Sequence, residues 1–65
     1  MTDEIGTAAG TIWSALHAHG EMTLKGLKDK TGLKAPMFDW AIGWLAREGN
    51  IVLAAEKKTY RIRLK

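Results

Sequence analysis

His17 and His19 are the two histidines of the chain and the first side chains to weigh for metal or acid–base chemistry. Two residues apart on a helix they project about 200° from one another, so they cannot easily share one ion. No third ligand stands near them in sequence. Surface or helix-end histidines are the expectation, with His19 favoured by the negative carbonyl end of a helix. Ser14 is the single serine, and no base is spaced to activate it as a nucleophile. The glycines at 6, 10, 20, 26, 32, 43 and 49 never gather into a phosphate-cradling loop behind a strand. Cysteine is absent, so neither a thiolate metal site nor a disulfide is available. No catalytic residue, cofactor or small-molecule substrate is therefore expected.

Charge and aromatic surface are what remain. The 65 residues carry a net charge of +3, and five of the ten Lys and Arg residues, Lys57, Lys58, Arg61, Arg63 and Lys65, fall in the last nine positions. Lys25, Lys28 and Lys30 form a second basic group, with Lys34 and Arg47 further along. A basic terminal segment can lie along a phosphate backbone without reading bases, giving salt-sensitive and weakly selective affinity. The other reading is a solvated strand face whose long basic side chains discourage edge pairing.

The elements that must position these residues follow from local pattern. Asp3 is a candidate cap for a first helix from about residue 4 to 19, with Ile5, Ala8, Ala9, Ile12, Trp13 and Leu16 at helical spacing and His19-Gly20 closing it. Glu21-Met22-Thr23 is a short extended connector, and Thr23 caps a second helix from Leu24 to about Thr31, ended by Gly32. Leu33 is an apolar plug in a tight turn. Lys34 then opens a third helix with Ala35-Pro36 in its first turn, where a missing amide donor costs little. That helix ends at Gly49-Asn50, whose residues tolerate positive φ, and runs directly into β-prone Ile51-Val52-Leu53. Residues 51 to 55 and 59 to 65 form a hairpin around Glu56-Lys57-Lys58. Tyr60, Ile62 and Leu64 alternate with Arg61, Arg63 and Lys65, which predicts one buried strand face.

Helix, short strand, helix, turn, helix and a two-stranded hairpin resemble the winged helix-turn-helix superfamily, an α+β fold. More narrowly, Gly10-Thr11-Ile12-Trp13 through Leu16, Leu24-Lys25-Gly26-Leu27-Lys28, Thr31-Gly32-Leu33 and the run from Ala41 to Ile51 are similar to a family of small stand-alone winged-helix proteins of bacteria and archaea, largely uncharacterised. The similarity covers nearly all of the chain. The Thr-Gly-Leu turn is common to many such domains; the Ala-Ile-Gly-Trp-Leu-Ala-Arg-Glu-Gly run is far more specific. The resemblance implies a single domain over residues 1–65, DNA binding and dimer formation, and brings no catalytic residues.

Helix 3 departs from a DNA-reading helix. Phe38, Ala41, Ile42 and Leu45 make its core stripe, while Met37, Trp40 and Trp44 make a second apolar stripe about 120° away. A base-reading helix carries Arg, Lys, Asn, Gln, Ser or Thr there, and Asp39 would repel phosphates. Three fates are open to Trp40 and Trp44: folding back over Trp13 and helix 1 as core, forming a partner interface, or stacking on unpaired bases. A second copy is the partner most easily supplied. A two-fold homodimer would bury Met37, Trp40 and Trp44 and support a chain that alone buries only about 60% of its unfolded surface.

The expectation is a non-enzymatic DNA-binding protein, a small transcription-associated regulator, with Lys34, Arg47, Lys57, Lys58, Arg61 and Arg63 on duplex phosphates. The alternative is an interaction module that kept the fold and uses helix 3 as its interface. Interrupted apolar patterning predicts neither a signal peptide nor a membrane span, and hence a cytoplasmic protein. Gly10 and Gly43, inside helices, predict close helix approach.

Overall fold

A computed structural model describes the backbone of residues 2–65 and the side chains from residue 4 onward. In chain order it has α1 (Thr2–His19), β1 (Met22–Thr23), α2 (Leu24–Thr31), α3 (Met37–Arg47), β2 (Ile51–Ala55) and β3 (Tyr60–Leu64). The proposed cap at Asp3 lies outside the described side chains, and α1 begins two residues before the expected start. Among the described residues no helix is long and apolar enough to cross a membrane.

Local chemistry sets most boundaries. The hydroxyl of Thr23 accepts from the amide of Gly26 at 3.1 Å, capping α2. Gly32, at φ 73, takes the left-handed conformation that ends it, with its amide donating to the Lys28 carbonyl. Beyond α3, Gly49 turns at φ 76. Its amide donates to the Ala46 carbonyl and that of Asn50 to Leu45, the paired bonds of a Schellman motif. This motif redirects the chain into β2 within three residues.

The start of α3 needs a correction. It begins at Met37, with Pro36 as its cap residue and no side-chain capping bond, rather than at Lys34. A proline steers the residue before it away from the α region, so Ala35 ends the turn instead of joining the helix. Lys34 thus sits in the connection between α2 and α3.

Ala8, Ala9, Ile12 and Leu16 of α1, Leu27 of α2, and Phe38, Ala41, Ile42 and Leu45 of α3 are buried together with Ile51 and Ile62 of the sheet. The expected α3 stripe is the core stripe. In α1, however, Trp13 is exposed and stacks on His17, with ring centroids 4.9 Å apart. It stands about 100° from Ile12, at the margin of the buried stripe.

The sheet is antiparallel with the order β1-β3-β2. Met22 pairs with Ile62 and Thr23 with Arg61, while Leu53 pairs with Ile62 and Ala54 with Arg61. The basic strand β3 is therefore central, and the apolar strand β2 is an edge. Basic side chains guarding an edge are thereby corrected: they project from the middle of the sheet. Tyr60 lies on the same face as buried Ile62, yet it is exposed, because that end of the hairpin extends past the helices.

Close helix approach does not account for Gly10 and Gly43. A Cβ at either position meets nothing within 4 Å. Alanine at each position is expected to raise stability by about 0.5 to 1 kcal/mol, because it restricts the unfolded chain at no steric cost. Urea titration checks this, and a loss of stability at either site would show that the space is occupied.

Candidate nucleic-acid interface

The sequence-predicted cations divide into a hairpin group and two residues bracketing α3. Lys57 and Lys58 are exposed at the hairpin tip, and Arg63 is exposed on β3. Arg61 and Arg63 share the outer sheet face, about 7 Å apart by strand geometry. At the base of the hairpin the amide of Lys65 donates to the carbonyl of Asn50 at 3.1 Å, which brings Lys65 beside the end of α3 where exposed Arg47 lies. From tip to base these cations form a row on the order of 20 Å long. Lys34, before α3, is about as far from Arg47 along the helix, so the two do not bind the same phosphate.

Arg61 differs from the others. Its Nε donates to Glu21 Oε2 at 2.7 Å, and its Nη1 lies 4.0 Å from Glu56 Oε1. Both pairs are partly solvent-exposed, so each adds little stability, but they offset the charge available to a phosphate. Among the described residues Lys34, Arg47, Lys57, Lys58 and Arg63 have no carboxylate within ion-pair distance. Glu21 is the residue that sequence reasoning missed. It immediately precedes β1, whose pairing with β3 sets it near Arg61, and the separation of 40 positions between the partners hides the pair in the sequence. In α2 the Lys28 ammonium lies 5.9 Å from the centroid of Phe38, at the outer range of a cation–π contact, which gives it a second role covering the core.

The solvent side of α3 carries Asp39, Trp40, Gly43, Trp44 and Arg47. Trp40 is 54% exposed and Trp44 43% exposed, which overturns the fold-back over α1. The core stripe is filled by Phe38, Ala41, Ile42 and Leu45 without them. Met37 parts from the tryptophans. It is half-buried against the core and lines an open groove of about 420 Å³ with Leu33 and with Glu4, Thr7, Ala8 and Thr11 of α1.

The described residues hold no group of three metal-ligating side chains, and no polar or charged side chain among them is buried. The chemistry on offer is surface charge and aromatic surface.

Three helices with a tight α2–α3 connection and a basic hairpin following α3 define a winged helix-turn-helix protein, a fold used in general for DNA binding. The chain belongs to the winged helix-turn-helix domain family DUF2582, which matches residues 1–64. It is 37% identical over 68 residues to the uncharacterised protein MJ1608 of Methanocaldococcus jannaschii, the match covering 100% of this chain and 96% of that protein.

Proposed function

We infer that the protein binds duplex DNA through its basic wing and serves as a small, non-enzymatic, transcription-associated regulator in the cytoplasm. The observation that carries this reading is the row of uncommitted cations, Lys57, Lys58 and Arg63, on an exposed hairpin of a winged-helix fold. Lys34 and Arg47 add phosphate contacts at either end of α3, and Arg61 contributes once it is released from Glu21. Apart from Arg47 in its last turn, the solvent side of α3 offers few side chains that pair with base edges, so binding is through the phosphate backbone and is largely independent of sequence. Titration of a random-sequence duplex against salt tests it. Affinity should fall linearly in log–log form, and absence of binding near 50 mM salt would remove the DNA reading, since counterion release favours association most there.

A second reading is favoured by the exposure of Trp40 and Trp44. Paired tryptophans on a helix are a frequent anchor for a partner protein, and Met37 would have to join them from its separate groove against α1. On this reading the chain is an interaction and homodimerisation module that does not bind DNA. Trp44→Ala should then abolish partner capture while costing far less stability than the roughly 3–5 kcal/mol of a buried aromatic. A decrease of that size in urea titration would return Trp44 to the core.

A further inference from the structure

We propose that a second copy of this chain docks along the open edge of β2, joining two three-stranded sheets into one six-stranded antiparallel sheet about a two-fold axis at Leu53. This does not depend on DNA binding, and it places the two-fold away from the tryptophans of α3.

The edge has no protection. Sheet edges are ordinarily blunted by charge, proline or a bulge, yet Ile51-Val52-Leu53-Ala54-Ala55 contains none of these, and no strand lies beyond it among the described residues. The direction of its free main-chain groups follows from the hairpin. The amide of Glu56 donates to the carbonyl of Thr59 and the amide of Lys65 to the carbonyl of Asn50, so residues 50, 52, 54 and 56 face β3. The amides and carbonyls of Ile51, Leu53 and Ala55 are therefore directed at the open edge.

These three residues are symmetric about Leu53. Antiparallel pairing of Leu53 with Leu53 of the second copy, and of Ile51 with Ala55 on both sides, uses every outward group. It makes six main-chain hydrogen bonds, two for each of the three pairs. A two-fold centred on Val52 or Ala54 leaves some of them unmade.

The apolar side chains agree with that register. Leu53 is 42% exposed and lies on the same face as Ile62 and Met22. Pairing sets it against its counterpart, so that Met22, Ile62 and Leu53 of both copies form one unbroken apolar row. The same register carries Lys57 and Lys58 of each wing tip toward the start of β2 in the other copy. There Glu48 and the carbonyl end of α3 are negative, while Arg47 and Lys65 beside them are positive. Glu48 is the side chain there that can pair with a wing-tip lysine of the other copy.

Sedimentation equilibrium of wild type, Leu53→Lys and Trp44→Ala, with amide exchange of wild type, tests the proposal from about 10 to 500 µM, a range in which mass action resolves a micromolar dimer. The expected result is a wild-type dimer that Leu53→Lys weakens by about tenfold or more and Trp44→Ala leaves intact. Exchange at the Leu53 and Ala55 amides should slow as concentration rises, because these groups find acceptors only in the second copy. A wild-type monomer throughout, a dimer abolished by Trp44→Ala but kept with Leu53→Lys, or concentration-independent exchange at both amides would each overturn it. Exchange is read on wild type, so misfolding of Leu53→Lys does not spare the proposal.

Discussion

Replacing Lys57, Lys58, Arg61 and Arg63 together by alanine is expected to weaken binding to every duplex sequence alike. The slope of log affinity against log salt should flatten by about 0.9 for each phosphate that is no longer neutralised. Lys57, Lys58 and Arg63, free of carboxylates among the described residues, account for about 2.7 of that slope. Between 50 and 200 mM salt the wild type should therefore weaken by about 40-fold more than the variant. Arg61 contributes least, because Glu21 holds its guanidinium at 2.7 Å. Glu21→Gln should release it, raising affinity and steepening the slope by up to about 0.9 at little cost to stability, since exposed pairs are worth about 0 to 1 kcal/mol. Arg47→Ala should matter less than any wing lysine. Binding that survives the four-fold change would move the contact surface to α2 or α3. An unchanged affinity in Glu21→Gln would remove Arg61 from the interface.

Phe38→Ala is expected to leave the domain largely unfolded at 25 °C. Phe38 is among the largest fully buried side chains, and truncating such an aromatic costs about 3–5 kcal/mol through reduced burial and the cavity left behind. A core of this size rarely supplies more than about 3–5 kcal/mol in total, and no disulfide supplements it. Far-ultraviolet circular dichroism and urea titration at low protein concentration measure the outcome. A cooperative transition retained by Phe38→Ala would reveal stability that one small core does not provide, such as that contributed by a bound second copy.

What the sequence determined by itself was local. The cap at Thr23, the left-handed stop at Gly32, the helix-to-strand turn at Gly49 and the core stripe from Phe38 to Leu45 depend on residues within one or two turns of one another. The chain therefore carries them in its spacing, and the winged-helix fold with them. The start of α3 at Met37 rather than Lys34 turns on an equally local point, the constraint that Pro36 places on Ala35.

The tertiary structure decided whatever depends on which distant segments meet. Helical spacing separates Trp40 and Trp44 from the core stripe but does not say whether another element covers them; the packing of α1 against α3 leaves both about half exposed. The alternation of β3 gives its two faces but not its place in the sheet. Pairing with β1 on one side and β2 on the other puts the basic strand in the centre and leaves an uncharged strand at the edge. The same pairing joins Glu21 to Arg61, so the charge a wing presents is set by neighbours that only the folded chain supplies.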